Sequence, residues 1–476
     1  MDFLAKKSFW ATIWSLLDTL FSKFIGLFIG IILARLLTPA DFGLVGMMTV
    51  FIALSDVFIE AGFSNALVRK LNRNDADCST AFFFNIGVGI VAYLIIYFAS
   101  PYAALFYNEP SIERLLKFAG LNVVFYSLCV VPNALLIANF KVKIQTKVNL
   151  ISNLVGGGIA VYLAYMGWGV MALVLQTLIA NGLRCILYWF LVGWTPKFII
   201  TKKAVSYLWS YGSKSLAIGL IGTLFNNIYN VIIGRHFTKQ DLGYYTRASQ
   251  FAVICPNTLS SVFQKVSVAT FANLQDDPKR LLTVYRKYVH VIAAFIFPAM
   301  FLMAALAPNI VLLLLTEKWI PSILMMQILC IGLAFNPFGF INISLLQALN
   351  HLDYSLKLEI AKKLLYVVII AITFPIGVLP MVIGCALYNF LATLMNLSCS
   401  KKFIQYQYLD QIFDLVKYLI PALFAAVLVY VVASFIDNNM LMCLCGTVLY
   451  VVVYCLLLKF LKAPAFAYLR DLKKKV

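Results

Sequence analysis

The sequence predicts an all-α integral membrane protein of about fourteen transmembrane helices, forming two pseudo-symmetric six-helix bundles and two further C-terminal helices. Three observations predict this class. The composition is 63% hydrophobic and 12% charged, whereas soluble domains are about half apolar and a quarter charged. Apolar runs of about 20 residues, enough to cross roughly 30 Å of hydrocarbon, recur along the chain. A short sequence motif, called here the repeated phrase, also occurs twice, at equivalent places in the two halves.

The apolar runs give the spans in order and leave no room for a soluble domain. Polar intervals stay below roughly 20 residues, whereas a small domain needs roughly 50. The first run is too long for a signal peptide and lacks a small-residue cleavage site, so we expect it to remain as the first helix. The spans are predicted near residues 10–35, 43–67, 81–100, 117–140, 147–167, 169–193, 206–234, 243–269, 288–308, 321–347, 357–377, 379–399, 417–435 and 440–460.

Positive charge is distributed unevenly between alternate loops. Assigning successive loops to opposite sides puts 27 Lys and Arg residues on one side and six on the other. This asymmetry follows the positive-inside rule and predicts that both termini are cytoplasmic. The net charge of +19 is therefore explained by the membrane topology, and it does not indicate a nucleic-acid partner.

The repeated phrase is RLLTPADFG at residues 35–43 and RHFTKQDLG at residues 235–243. In each copy a Thr stands at the N-cap and an Asp follows three residues later. This spacing predicts a capping box that begins a helix on the outer side of the membrane. The matched pairs are Arg35 and Arg235, Thr38 and Thr238, Asp41 and Asp241, and Gly43 and Gly243.

A second, weaker pair has nearly the same offset: FYSLCVVPNALLIANF at 125–140 and FNPFGFINISLLQALN at 335–350. Each offset advances the chain by six spans, and an even number preserves orientation, so the repeats are parallel. The predicted domains are an N-terminal six-helix bundle (1–200), a C-terminal six-helix bundle (201–400), and two additional helices with a basic cytoplasmic tail (401–476). Two facing bundles predict a central cavity suited to alternating access.

The sequence gives no pattern for a metal site, a disulfide or a cofactor. The ten cysteines are scattered, mostly within spans, and the three histidines lie far apart. We interpret the cysteines as small buried hydrophobic residues.

One long stretch resembles a known family. IILARLLTPADFGLVGMMTVFIALSDVFIEAGFSNALVRK (31–70) is similar to the N-terminal signature of Wzx-type O-antigen and colanic-acid flippases, the polysaccharide transporter branch of the MOP superfamily. GRHFTKQDLGYYTRASQF, EKWIPS and LLQALNHLDYSLKLEI resemble later segments of that family. The resemblance implies the V-shaped MOP fold, a bacterial inner membrane and polysaccharide-assembly proteins as partners. It also implies flipping of undecaprenyl-pyrophosphate-linked oligosaccharides to the outer leaflet.

Ionisable residues inside spans are costly, so each is a candidate site residue. In the first two spans, Lys23 and Asp56 are predicted near the midplane, with Asp18 and Glu60 closer to the cytoplasm. Two interpretations remain open. Lys23 and Asp56 form a structural ion pair, or Lys23 faces the cavity and Asp18, Asp56 and Glu60 include a carboxylate that couples transport to H⁺ or Na⁺.

Four further cations lie within spans six to eight. Arg184 and Lys214 are predicted slightly cytoplasmic of the midplane, and Arg247 and Lys265 share one face of the eighth span. With Lys23, these cations are the predicted binding residues for a pyrophosphate, which needs fixed positive charge. The alternative for Arg247 and Lys265 is snorkelling to the headgroups. Arg35 and Arg235, at span ends, are interpreted as structural.

Sugar recognition is not resolved by the sequence. The polar and aromatic residues that could contact a glycan could equally join helices. They are Asn226, Asn227, Tyr229, Asn230, Tyr244 and Tyr245.

Three other functions were weighed against a flippase. A cation-coupled drug or metabolite antiporter of the same superfamily needs an acidic pocket, whereas the unpaired charges here are mostly basic. A polymerase or glycosyltransferase needs acidic motifs or a sizeable outer loop, and the longest outer loop, near 101–116, has no such pattern. An enzyme is therefore disfavoured. A lipid scramblase or structural protein fits the two-lobe repeat less well.

Overall fold

The computed structural model describes residues 2–60, 67, 74–139, 141–199 and 201–464. For residues 2–13, 15–17, 19, 20, 202–215, 217, 218 and 265 it describes the backbone only. Within these ranges all regular elements are helices, which confirms the all-α class. Ten of them, with Pro321–Ala348 counted as one, are long and apolar enough to cross a membrane. The total of fourteen spans stays a prediction.

The chain divides into two compact units, Met1–Gly243 and Tyr244–Val476. The first unit contains α1 (Asp2–Leu36), α2 (Pro39–Glu60), α3 (Asp75–Tyr107), α4 (Ser111–Ala138), α5 (Val142–Tyr165), α6 (Val170–Val192), α7 (Lys202–His236) and the first turn of α8 (Lys239–Ala272). The second contains the rest of α8, then α9 (Pro278–Ala305), α10 (Ala307–Leu314), a 3₁₀ turn (Glu317–Trp319), α11 (Pro321–Leu333), α12 (Asn336–Ala348), α13 (Leu352–Thr373), α14 (Val378–Ile404), α15 (Tyr408–Ala433) and α16 (Asn439–Phe460).

Helix α4 is central to the first unit, because it packs against α2, α3 and α6. Helix α1 packs along α5, and α7 packs along α2 and α3. The sequence-based boundary between bundles, at residue 200, falls just before α7, yet these contacts place α7 in the first unit. The bundle boundaries drawn from the sequence repeat stay a prediction. They assign α7 to the C-terminal bundle, whereas the contacts assign it to the first unit.

Both copies of the repeated phrase begin a helix through a capping box. The Thr38 backbone N–H and hydroxyl donate to the Asp41 carboxylate at 2.9 and 2.7 Å, and the Asp41 N–H donates to the Thr38 hydroxyl at 3.3 Å. The same three hydrogen bonds join Thr238 and Asp241 at 3.2, 2.6 and 3.1 Å. The capping interpretation is confirmed for both copies, and it satisfies otherwise unpaired N–H groups at each helix start.

The outer loop expected near 101–116 is mostly helical. Helix α3 continues through Pro101 to Tyr107, and α4 begins at Ser111, so only a short turn remains. A proline removes one backbone hydrogen bond, and the rest of the helix can still satisfy its own polar groups in a membrane. The turn ends α3 with Asn108 in the left-handed conformation (φ 55°).

The tenth predicted span is divided into α11 and α12. The break lies at Ala334 and Phe335, next to Pro337, which has no N–H to continue the helical ladder. The Thr393 hydroxyl of α14 donates to the Phe335 carbonyl at 3.2 Å. The same carbonyl accepts from the Phe338 N–H at 3.3 Å, so a side chain from a neighbouring helix adds a second hydrogen bond at the break.

The two C-terminal helices are integral to the second unit. Helix α15 packs along α9 and α16 along α15. The Tyr450 hydroxyl donates to the Ala422 carbonyl at 3.0 Å, and the Tyr454 hydroxyl donates to the Ala294 carbonyl at 3.3 Å. Residues 465–476 of the predicted basic tail lie outside the described residues.

Candidate functional site

Two cavities lie within the first unit, both lined by helices predicted to span the membrane. The wide cavity, about 590 Å³, lies between α2, α4 and α6, with Asp56, Glu60, Asn122, Tyr126, Thr177, Asn181 and Arg184 as its main polar residues. The polar cavity, about 280 Å³, lies between α2, α4, α5 and α6, and is lined by Glu60, Tyr126, Cys129, Val130, Asn133, Gln145, Asn149, Asn181, Arg184 and Tyr188. Four residues line both cavities: Glu60, Tyr126, Asn181 and Arg184.

Helical spacing explains why these residues converge. On α4, Asn122, Tyr126, Cys129 and Asn133 are separated by four, three and four residues, so they share one face. The α6 residues Thr177, Asn181, Arg184 and Tyr188 repeat the same spacing, and Gln145 and Asn149 are one turn apart on α5. These three polar stripes were visible in the sequence. Only Arg184 among these residues is charged, so it alone was predicted as a site residue from its position within a span.

Arg184 is held by neutral side chains. Its Nη1 donates to Asn181 Oδ1 at 3.0 Å, and its Nη2 donates to Asn153 Oδ1 at 3.2 Å. Its Nε is buried and has no hydrogen-bond acceptor in the described part of the chain. Among the described side chains, no carboxylate forms an ion pair with Arg184. The Arg184 guanidinium therefore lines two cavities and is hydrogen-bonded to amide oxygens.

Asp56 and Glu60 lie one turn apart on α2, and both line the wide cavity. Glu60 accepts a hydrogen bond from the Tyr126 hydroxyl of α4. The pairing of Lys23 with Asp56 stays a prediction. Helix α1 packs along α5, while α2 packs along α7 and α4.

Asp18 lies apart from the other two carboxylates. It accepts hydrogen bonds from Asn149 Nδ2 at 3.2 and 3.3 Å. The Asn149 Oδ1 in turn accepts from the Tyr188 hydroxyl at 3.3 Å, and both residues line the polar cavity. Asp18 therefore reaches the polar cavity through Asn149, whereas Asp56 lines the wide cavity directly.

The remaining predicted cations are placed differently. Lys23 is half-buried on α1 and is not among the residues that line either cavity. In the second unit Arg247 is 3% exposed; its guanidinium lies 5.8 Å from the Trp319 ring centroid and donates to Gln250 Oε1. The side chains of Lys214 and Lys265 lie outside the described residues.

The residues considered for sugar contacts pack among helices. Asn227 Nδ2 donates to the Thr223 carbonyl of its own helix at 2.9 Å, and Asn230 Nδ2 lies 3.5 Å from Asn227 Oδ1. Tyr229 is 2% exposed, and the Tyr244 ring meets Trp319 edge to face at 6.2 Å. They do not line the wide or the polar cavity.

The two copies of the repeated phrase touch each other. A Cβ added to Gly43 would lie 1.8 Å from the Lys239 carbonyl oxygen, and one added to Gly243 would lie 1.9 Å from the Pro39 carbonyl oxygen. Pro39 and Lys239 are the first residues of α2 and α8, so the contact is reciprocal. We call these two segments, Pro39–Gly43 and Lys239–Gly243, the paired turns. Only glycine allows the two backbones to come this close.

Basic residues beside the paired turns contact the end of α3. Lys239 Nζ lies 2.8 Å from Glu109 Oε1. The Arg235 guanidinium donates to the Phe106 carbonyl and lies 5.2 Å from the Phe106 ring centroid. These contacts support a structural role for Arg235.

Comparisons with known proteins bear on both fold and family. The family model described as "Polysaccharide biosynthesis protein" matches residues 32–324. Lipopolysaccharide biosynthesis protein WzxC of Escherichia coli (strain K12) is 26% identical over 408 residues, covering 83% of this chain and 80% of that protein. The inward closed conformation of the lipid II flippase MurJ superposes with a TM-score of 0.77 at 14% identity, covering 97% of this chain and 99% of that one. An inward-facing multidrug resistance MATE family transporter of the MOP superfamily gives a TM-score of 0.64 at 14% identity, covering 81% and 94%. The chain therefore has the fold shared by these transporters.

Proposed function

The chain belongs to the polysaccharide biosynthesis protein family, and from this premise we propose that it is a flippase for lipid-linked oligosaccharides. It carries undecaprenyl-pyrophosphate-linked repeat units from the inner to the outer leaflet of the bacterial cytoplasmic membrane, by alternating access and with both termini cytoplasmic. The name of its relative WzxC and the fold it shares with a lipid II flippase support this function. A transporter, rather than an enzyme, agrees with both.

The observation that carries the proposal is the environment of Arg184. A charged side chain inside a membrane is costly unless it has a partner of opposite charge or access to water. The partners of Arg184 are amide oxygens, and it lines two cavities. A guanidinium binds phosphate oxygens through charge-assisted and often bidentate hydrogen bonds. A pyrophosphate entering the cavity would form such hydrogen bonds with Arg184.

The other predicted residues keep their proposed roles. Lys23, Lys214, Arg247 and Lys265 are further candidates for pyrophosphate binding, although Arg247 must first leave its contact with Trp319. Asp18, Asp56 and Glu60 are the candidates for binding H⁺ or Na⁺, so that an ion gradient drives transport. Of these, Asp56 and Glu60 have the better placement, because they line the same cavity as Arg184.

Alternating access gives the paired turns a role. On the predicted topology they lie at the outer ends of α2 and α8, where their contact closes the outer side. We propose that the turns separate when the substrate is released to the outer leaflet. The contact is formed by backbone atoms, and Pro39, Gly43 and Gly243 are buried.

The test uses the full-length protein in proteoliposomes with undecaprenyl-pyrophosphate-linked oligosaccharide extracted from the native cells. Appearance of the glycan in the far leaflet is measured with a membrane-impermeant glycosidase. Charge-assisted contacts contribute about 1.5–3 kcal/mol, so Arg184→Gln should lower the flipping rate about tenfold or more. Arg184→Lys should recover part of the rate if charge alone matters.

The matched control is Arg114→Gln, because Arg114 is exposed on α4 and lines neither cavity. It should flip at the unaltered rate. An unaltered rate for Arg184→Gln would remove the observation on which the proposal depends. Gradient-driven efflux of a cationic dye by the same proteoliposomes, without glycan transfer, would instead support the antiporter.

A further inference from the structure

The polar cavity has a chemistry that pyrophosphate binding does not explain. Eight of its ten lining residues carry hydrogen-bonding side chains: Glu60, Tyr126, Asn133, Gln145, Asn149, Asn181, Arg184 and Tyr188. Four of these are amides, each with two N–H donors and one acceptor oxygen. Seven of these eight residues lie within predicted spans, where polar side chains are expensive, so their concentration around an open space calls for a ligand or a structural network.

A structural network accounts for only part of the lining. Asn149 and Tyr188 bond to each other, and Asn149 also bonds to Asp18. Asn181 and Arg184 are likewise joined. By contrast, the side chain of Gln145 forms no hydrogen bond with any described residue, and the Asn133 side chain has only a long contact, 3.5 Å from the Tyr188 hydroxyl. The amides of α4 and α5 therefore face the cavity with bonding capacity left over.

Charge argues against an ionic ligand here. The cavity has one cation and one carboxylate, so their charges offset each other. Two donors of Arg184 are already bound to amides, and Glu60 accepts from Tyr126. A neutral ligand that both donates and accepts hydrogen bonds fits the remaining amides best. Sugar hydroxyls have this character, since each is one donor and a pair of acceptor sites.

Size limits the ligand further. The volume of about 280 Å³ is at the lower end of ligand cavities, which range from roughly 300 to 1,000 Å³. An oligosaccharide is too large for this space, whereas a single sugar ring is not. Because Arg184 lines both cavities, a pyrophosphate bound to it in the wide cavity would have its first sugar beside the polar cavity.

We propose that the polar cavity binds the sugar ring attached to the pyrophosphate, with Asn133 and Gln145 as residues that determine specificity for it. This inference rests on the proposed flippase function and adds a site for the glycan. A site built to bond hydroxyl groups discriminates strongly against a ligand that lacks them, because its buried polar groups are then left unpaired.

The experiment compares two probes in the proteoliposome assay: the extracted lipid-linked oligosaccharide and undecaprenyl pyrophosphate without sugar, each followed by its arrival in the far leaflet. Gln145→Ala and Asn133→Ala should slow transfer of the oligosaccharide about tenfold. Both variants should transfer the sugar-free lipid at the unaltered rate. Gln145→Ala is the safer variant, because Gln145 has no hydrogen bond within the described chain whose loss would destabilise the fold.

Gln176→Ala is the matched control, since Gln176 lies on α6 outside the lining of both cavities. It should transfer the oligosaccharide normally. Unchanged oligosaccharide transfer in Gln145→Ala and Asn133→Ala, or equal slowing with both probes, would overturn the sugar site. If the unaltered protein transfers neither probe, the flippase proposal itself fails, which separates the two outcomes.

Discussion

Embedded charges in the two units have different surroundings. In the first unit Arg184, Asp56 and Glu60 line cavities, and Arg184 and Glu60 are hydrogen-bonded to neutral side chains. In the second unit the buried Asp414 accepts from Arg286 Nε at 2.9 Å, with Lys417 Nζ 3.3 Å and His290 Nε2 3.5 Å away. A charge surrounded by opposite charges holds helices together, whereas a charge beside open space is available to a ligand. The difference suggests that the first unit carries more of the substrate site.

The largest expected loss of stability comes from substituting Asp414 in the second unit. Asp414 is 1% exposed on α15, and Arg286 and His290 reach it from α9. Asp414→Ala would leave the buried Tyr406 hydroxyl without its acceptor and the partly exposed Arg286 and Lys417 without their carboxylate, at a cost of about 3 kcal/mol. We expect a loss of this size in the free energy of unfolding, measured by denaturant titration in detergent. A comparable loss in Arg184→Gln would contradict the contrast between the units.

Substitutions of the glycines in the paired turns should have the next largest effect. A Cβ on Gly43 or Gly243 meets a backbone carbonyl oxygen and not a flexible side chain. Overpacking costs about 1–3 kcal/mol, so Gly43→Ala and Gly243→Ala should each hold the turns apart and slow flipping about tenfold. Thiol labelling of a cysteine introduced beside the turns should increase in the same variants. Gly26→Ala is the control, because a Cβ there meets nothing within 4 Å.

The carboxylates of the wide cavity test the ion coupling. If Asp56 or Glu60 binds the coupling ion, Asp56→Asn or Glu60→Gln should abolish the dependence of flipping on pH or sodium gradient while leaving the melting temperature nearly unchanged. Asp18→Asn provides the comparison, since Asp18 bonds to Asn149 away from the wide cavity. Rescue of activity by exchanging Lys23 and Asp56 would instead indicate that these two residues form a structural ion pair.

Substitutions in the two capping boxes should have the smallest effect on stability, and the effect should be equal at the two positions. Thr38→Ala and Thr238→Ala each remove a hydroxyl that accepts from the Asp N–H and donates to its carboxylate. Loss of an N-cap typically costs about 1 kcal/mol, and we expect the two variants to lower the free energy of unfolding equally. A clearly larger loss at one position would show that the copies have diverged in role.

The sequence by itself determined the class, the starts of α2 and α8, and the equivalence of the repeated phrases. These features depend on local chemistry: apolar run length, and a Thr and an Asp spaced to cap one helix, as in Thr38 and Asp41. Arg184 was identified because an embedded charge is conspicuous in a 12% charged chain. The stripes containing Asn133 and Gln145 could also have been found, since their spacing is helical.

Only the tertiary structure decided which of these residues act together. Helical spacing fixes the face on which a side chain lies, but the helix that covers that face depends on contacts between distant parts of the chain. Packing thus brings α4, α5 and α6 around the polar cavity and places Arg184 in both linings, while Arg247, an equally conspicuous cation, is covered by Trp319. The reciprocal contact of Gly43 and Gly243 likewise appears only in three dimensions, because neither glycine carries information about the carbonyl it approaches.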